Sequence, residues 1–263
     1  MEIYVMNLRR AEERLKRLRE GFDAAGLSFK RVEAVDGRNL TTAQIERFVR
    51  KVGRWGRLTP GEIGCFLSHR ACWRELLQNG DCFAAVLEDD VVLGENAAAV
   101  LLDDYWLPDD AQMVKIETAG SRVFLDTTPR GEIDGRKLFR LRSSHYCSAA
   151  YIVSRDCAER LLAESETFCE AIDDYLFSSL SPVFSQTTVY QLTPAVCIQS
   201  HAMRGDGKTQ EVSTSIEGRE AKQRGRLSFG ERLREVCVKE RQSGVNKVLA
   251  MLRKRRRQTV EFR

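Results

Sequence analysis

Residues 82–93, Cys82-Phe83-Ala84-Ala85-Val86-Leu87-Glu88-Asp89-Asp90-Val91-Val92-Leu93, decide the fold. An apolar run of six residues without polar alternation reads as a buried strand of an α/β sheet. Three acids end it, and Val91, Val92 and Leu93 carry the apolar character on past them. Adjacent carboxylates repel one another, and burying them unpaired costs roughly several kcal/mol each. A hard divalent cation, Mn²⁺ or Mg²⁺, prefers oxygen ligands and relieves that repulsion. Ligands of α/β proteins also collect at the carboxyl ends of strands. The triplet is therefore either a metal site that holds a phosphorylated substrate or an acidic turn facing water.

Working outward, alternating strands and helices surround this stretch. Residues 2–7 read as a first strand. Ala11, Leu15, Leu18, Phe22 and Ala25 then share a helical face that Gly26 ends, and residues 28–35 read as a second strand stopped at Asp36-Gly37. That is a βαβ start. Thr59-Pro60-Gly61-Glu62 combines an N-cap, a first-turn proline and a capping-box acid, so a helix runs from there to Asn79-Gly80. Further strands are expected at 112–116, 146–153 and 188–192, and helices at 155–163 and 172–180. Residues 117–145 read as irregular loops. The whole predicts an α/β fold with a mostly parallel central sheet.

The chain has 263 residues, 43% hydrophobic and 30% charged, as in soluble globular proteins. No apolar stretch approaches the roughly 20 residues that span a bilayer. The N-terminus lacks the form of a signal peptide, so a cytoplasmic location is expected. Of the eight cysteines, several lie in apolar runs, and no CxxC pair occurs; they read as reduced core thiols, not as a zinc cluster.

The net charge of +4 is uneven. Residues 231–263 carry eleven Lys/Arg against four Asp/Glu, which leaves 31 against 34 in the rest. Val245, Val248, Leu249 and Leu252 have helical spacing before Arg253-Lys254-Arg255-Arg256-Arg257. The expected organisation is a catalytic domain over 1–204, a mobile polar loop over 205–230 and a basic amphipathic helical tail over 231–263. Such a tail suits an anionic membrane surface. It nearly lacks aromatic residues for stacking bases, so no nucleic-acid partner is expected.

Other groups bear chemistry. Asp173-Asp174 sits in the apolar context of Ile172 and Tyr175. One acid is either a general base for a hydroxyl or, at Asp173, a helix cap. His201 follows a late strand at a loop and is the best third metal ligand of the three histidines; His69 and His145 are the others. Ser68-His69 is not a nucleophile–base pair, because neighbouring helix positions point apart. Residues 202–209 nearly form a P-loop, with Ala202 in place of its first glycine. Arg204 and Lys208 are candidates to close over a diphosphate.

Taken in order, these motifs resemble glycosyltransferase family 25, which includes lipooligosaccharide galactosyltransferases. The resemblance rests on Asn7-Leu8-Arg9-Arg10, Ala34-Val35-Asp36-Gly37, Leu58 to Cys65 with Ser68-His69, and Leu87-Glu88-Asp89-Asp90. It continues through Ala150 to Arg155, Ile172-Asp173-Asp174 and Thr193 to Gln199, and so covers about residues 2–200. It implies a GT-A-like nucleotide-sugar fold and inverting transfer from a UDP-sugar, most often UDP-galactose, to a lipid-linked oligosaccharide acceptor. It further implies that Asp90 holds Mn²⁺ (or Mg²⁺) and that Glu88 or Asp89 touches ribose or metal. Asn7, Leu8, Arg9 and Asp36 would lie near uridine, with Thr59, Glu62, Ser68 and His69 close by. Asp173 ranks before Asp174 as the base, because some members carry an aromatic residue at the second position. The chain departs from the pattern at Cys147-Ser148-Ala149-Ala150-Tyr151, where many members carry a G-T-x-G-Y run. A lipid-linked acceptor would make the enzyme peripheral on the inner face of the inner membrane. The alternatives are a metal-dependent nucleotidyl- or phosphotransferase using the same acids, and a nucleic-acid-binding protein acting through its tail.

Overall fold

The computed structural model of the chain describes residues 1–203 and 229–263. The central element is an eight-stranded sheet. Its first half follows the expected periodicity: β1 (Glu2–Asn7), α1 (Glu12–Ala24) and β2 (Lys30–Glu33) form a parallel βαβ unit. After α2 (Thr42–Phe48) comes α3 (Pro60–Asn79), which has the expected Thr59/Glu62 capping box and ends at Gly80 with φ 91°. The acid-tipped strand β3 (Phe83–Glu88) then pairs parallel with β1, so that Met6 lies opposite Glu88.

The second half departs from expectation. After β3 come β4 (Val91–Leu93), α4 (Ala97–Leu101) and β5 (Met113–Lys115). Residues expected to be loops form four strands: β6 (Glu117–Thr118), β7 (Arg122–Asp126), β8 (Gly131–Ile133) and β9 (Arg136–Arg140). They are two to five residues long, too short for a clear periodic signal. β10 (Ala150–Ser154), α5 (Arg155–Glu164), α6 (Ile172–Phe177), α7 (Pro182–Gln186), β11 (Val189–Thr193) and β12 (Cys197–Gln199) follow.

The order of the large sheet is β2-β1-β3-β10-β5-β11-β9-β8. β10 runs antiparallel between β3 and β5, and β9 runs antiparallel to β11 and β8. The sheet is therefore mixed, not mostly parallel. Strand direction depends on how the chain returns between strands, and apolar runs look the same in either direction. Both faces are covered. Tyr4, Met6, Ala84 and Val86 pack toward α3, α5 and α6, while Ile3, Val5, Ala85 and Leu87 pack with Leu18 and Phe22 of α1 and Val100 of α4. This is the period-two alternation of a strand buried on both sides.

The C-terminal segment corrects the expected domain plan. α8 (Phe229–Met251) begins inside the stretch read as a polar loop, and the helix does not continue through the arginines. Arg255–Thr259 form β13, antiparallel to β7. Thr118 Oγ1 donates to the Val260 carbonyl at 2.7 Å, Ala195 N donates to the Glu261 carbonyl at 2.7 Å, and Arg136 Nη2 donates to the Arg263 carbonyl at 2.7 Å. Val260 is fully buried. The Arg256 and Arg257 guanidiniums lie over the Phe139 and Phe124 rings. The unpaired edge of β7 takes a strand, and aromatic faces take the arginines. Residues 255–263 thus belong to the domain and are no helical appendage. Among the described residues no helix is long and apolar enough to cross a membrane. None of the eight cysteines forms a disulfide.

Candidate active site

The site lies at the carboxyl ends of β1, β2 and β3. Two close backbone approaches shape its wall. A Cβ at Gly37 would sit 1.6 Å from the Pro60 carbonyl oxygen, and one at Gly64 would sit 2.4 Å from that of Val35. Glycine at both positions lets the segment after β2 lie against the start of α3. Ser68 pins this contact: its Oγ accepts from Val35 N at 2.8 Å and donates to the Gly64 carbonyl at 2.7 Å. Thr59 and Glu62 are joined by the capping box, with Glu62 Oε2 accepting from Thr59 N at 2.7 Å. Ser68, Thr59 and Glu62 therefore brace the wall. Asp36 caps a short turn by accepting from Arg38 N, and it pairs with Arg10. Leu8 is half-buried and Arg9 is exposed at the rim.

The three acids diverge to different partners. Asp89 accepts from Asn7 Nδ2 at 2.7 Å and pairs with Arg14 Nη1 at 3.3 Å. Asn7 is almost fully buried, and Arg31 Nε donates to its Oδ1, so both ends of its amide hold the fold of the turn. Asp90 faces Gln199 Nε2, 3.4 Å from each carboxylate oxygen, and His201 Nδ1 at 3.9 Å. Glu88 faces His69 Nε2 at 3.7 Å. Thus Asp90 and His201, 111 positions apart in sequence, come together beside Gln199.

Asp173 is not the cap of its helix. Ala171 is, and Asp173 and Asp174 occupy the first turn of α6, where acids suit the helix dipole. Asp174 Oδ1 accepts from Trp55 Nε1 at 3.1 Å, and Asp173 Oδ1 accepts from Asp174 N. Asp173 lies close enough to Glu88 to raise its pKa. Burial is the main cause of that rise, followed by Asp90, Glu117, Asp89 and Asp173, so the Glu88 carboxyl is held well above the ordinary carboxylate range. This holds although 26% of its side chain is open to solvent. Asp90 is also raised, by burial first, against the opposing pull of Gln199 and Arg14. Burial pushes His69 down to about 3, so its ring is neutral.

A cleft of about 770 Å³ opens beside the turn, lined by Asp89, Asp90, Ser200 and His201 and by Arg14 and Arg17 of α1. Asp90 offers carboxylate oxygens and His201 a ring nitrogen beside Gln199, donors that suit a divalent cation. Arg204 and Lys208 lie outside the described residues. His145 is buried, with Nδ1 2.7 Å from Gln191 Oε1.

Sequence reasoning missed Arg14, Gln199, Trp55 and the pair Lys115–Glu117. Arg14 and Trp55 stand in no motif. Lys115 and Glu117 are two positions apart in a region that reads as strand end and loop. Cys65 was read as core, although its spacing of four from His69 on a helix puts both on one face.

Comparison with known proteins identifies the family. The family model described as Glycosyltransferase family 25 (LPS biosynthesis protein) matches residues 1–176. The lipooligosaccharide biosynthesis protein lic2B of Haemophilus influenzae is 30% identical over 74% of this chain and 75% of its own. The lacto-N-neotetraose biosynthesis glycosyltransferase LgtB of Neisseria meningitidis serogroup A is 31% identical over 76% of this chain and 74% of its own. A solved glycosyltransferase involved in glycosylation of the major capsid of PBCV-1 aligns with a TM-score of 0.41 at 11% identity, over 77% of this chain and 93% of that one. With two thirds of its length matched by the family model and relatives of this identity and coverage, the chain belongs to glycosyltransferase family 25.

Proposed function

We propose that this glycosyltransferase moves a hexose, galactose first, from a UDP-sugar to a hydroxyl of a lipooligosaccharide core acceptor, with inversion at the anomeric carbon. One observation carries the reading. Asp173, on a helix 85 positions after Glu88, sits in the electrostatic field of the acidic turn. A candidate general base and the candidate diphosphate-binding end thus belong to one acidic cluster.

Asp173 accepts the proton of the attacking hydroxyl. The acceptor oxygen bonds to the anomeric carbon as the bond to the diphosphate breaks, and UDP leaves with the electron pair. Asp90 and His201 would hold the divalent cation, with Gln199 orienting the carboxylate. The cation supplies charge stabilisation for the departing diphosphate. Arg14 and Arg17 face the same cleft and add positive charge to it. Asn7 and Asp36 keep the ends of β1 and β2 shaped for the nucleoside.

The names of the relatives, in lipooligosaccharide and lacto-N-neotetraose biosynthesis, support this acceptor class. Leu233, Val236, Val248, Met251 and Leu252 are exposed on or just after α8, and basic residues flank them. That surface suits an anionic inner-membrane face, where a lipid-linked acceptor would be met.

The test is UDP release from a panel of UDP-sugars, with Mn²⁺ and with chelator, in the presence of a truncated core acceptor. Transfer from one donor, lost in Asp90→Ala, is expected. Asp173→Asn should lower kcat by about 10²–10⁴-fold while donor KM changes little. Full turnover by either variant would remove that residue from the mechanism, and pyrophosphate release from a nucleoside triphosphate would favour a nucleotidyltransferase instead.

A further inference from the structure

Glu88 faces neither the Gln199–His201 pair of Asp90 nor the Asn7–Arg14 pair of Asp89, and its surroundings point to different chemistry. Cys65 Sγ, a His69 ring nitrogen and a Glu88 carboxylate oxygen lie within 4.8 Å of one another. Cys65 and His69 are four residues apart on α3 and so share a face. His69 is fully buried, and its Nε2 has no hydrogen-bond partner; the nearest Glu88 oxygen is 3.7 Å away, beyond hydrogen-bond reach. A buried ring nitrogen left in this state is costly unless something fills the gap.

The other side of the ring is fixed. His69 Nδ1 lies 2.9 Å from the Tyr151 hydroxyl, which accepts from Trp73 Nε1 at 2.9 Å. A phenol oxygen has lone pairs for both N–H donors. When Nδ1–H donates to Tyr151, Nε2 presents its own lone pair toward Cys65 and Glu88. Orientation of a ligating histidine through its second nitrogen is the usual support of a metal site.

We propose that Cys65, His69 and Glu88 form a site for one borderline divalent cation of the zinc type. Its fourth position is left to water, which reaches the site where the Glu88 side chain is exposed. A sulfur, nitrogen and oxygen donor set favours such a cation over Mg²⁺ or Mn²⁺. Bonds of about 2.0–2.3 Å require the three ligand atoms to draw somewhat closer than in the present arrangement. Rotation of the Glu88 side chain supplies much of that movement. Binding releases the Cys65 thiol proton to solvent. The site stands apart from the donor set at Asp90 and does not depend on the sugar-transfer reading.

Cobalt is the probe. Metal-stripped full-length protein titrated with Co²⁺ should take up one equivalent with a near-ultraviolet thiolate-to-cobalt band and visible bands of four-coordinate cobalt. One equivalent of Zn²⁺ should erase both, and Mg²⁺ should not. Cys65→Ser should lose the thiolate band. A double variant of the exposed Cys82 and Cys237 should keep it, as should Asp90→Asn. Tyr151→Phe should weaken zinc binding by about 10–100-fold. No thiolate band in the wild type, a band that survives Cys65→Ser, or one lost with Asp90→Asn would overturn the site. If Cys65→Ser fails to fold, zinc-edge X-ray absorption of the loaded wild type decides. One sulfur at about 2.3 Å with imidazole supports the proposal, and an all-oxygen shell overturns it.

Discussion

Glu117 is a buried carboxylate and Glu88 a partly buried one in a neighbouring part of the molecule, and their surroundings are opposite. Glu117 is 1% exposed and has its own cation: Lys115 Nζ lies 2.9 Å from it, itself fully buried and seated over the Phe177 ring. Lys115 also donates to the Cys147 carbonyl, and against the rise that burial gives the Glu117 pKa stand Lys115 and the backbone at Ala149 and Ala150. Glu88 is surrounded by Asp90, Glu117, Asp89 and Asp173, and no Lys or Arg pairs with it among the described residues. The chain neutralises one carboxylate by itself and leaves the other to be neutralised from outside. The first arrangement holds the sheet together, and the second is the like-charged crowding of acids that functional sites collect.

The sharpest way to break this contrast is to remove one partner from each side. Lys115→Met should cost about 3–5 kcal/mol in urea unfolding, because it strands a buried carboxylate. In chelator, Glu88→Gln should cost nothing or stabilise, since it removes repulsion. Equal losses in the two variants would end the distinction. Next in size is the response to cation. Mn²⁺ at a hundred times its Kd should stabilise the wild type by about 2.7 kcal/mol, read as a rise in Tm, and Asp90→Asn should lose most of the gain. An unchanged gain in that variant would take Asp90 out of the cation's shell.

A third effect comes from histidine on the Lys115 side. His145 is pushed down to about 3, by burial first and then by Lys115. Its folded pKa is below the unfolded value of about 6.5, so below that pH the unfolded chain binds the proton more readily. The stability is present above pH 6.5 and is lost as pH falls toward 3. Between pH 6.5 and 5 the loss is about 2 kcal/mol for this group. His145→Gln should flatten the slope of unfolding free energy over that range, with His69 supplying a second, similar slope. An unaltered slope would mean that His145 is protonated in the fold. The smallest effect belongs to Arg14, which is half exposed beside Asp89. Arg14→Gln should change stability by about 0.5 kcal/mol or less, as exposed pairs do, yet raise donor KM. An unchanged KM would remove Arg14 from the donor cleft.

Much of the first half of the fold was legible because its signals are local. The capping box of Thr59 and Glu62 starts α3, and the two-sided apolar run 82–87 makes β3. At the site, the order of motifs located the acids and Asp173. The second half was less legible. β6 to β9 are short, and the apolar spacing of 245–252 gave no sign that the following arginines would leave the helix and complete the edge of β7. The partners of the acids were also hidden, because Asn7, Arg14, Gln199 and Trp55 reach them from up to 119 positions away.

By itself, then, the sequence determined the local elements, the acidic tip of β3, the second acid pair and the family, since caps, periodicity and motif order are properties of neighbouring residues. Tertiary structure alone decided which way β10 runs, that residues 255–263 belong to the domain, and which neighbour each acid meets. It also decided that Cys65 and His69 face Glu88. Those outcomes depend on contacts between distant segments, and the free energy of such contacts is written in no single stretch of the chain.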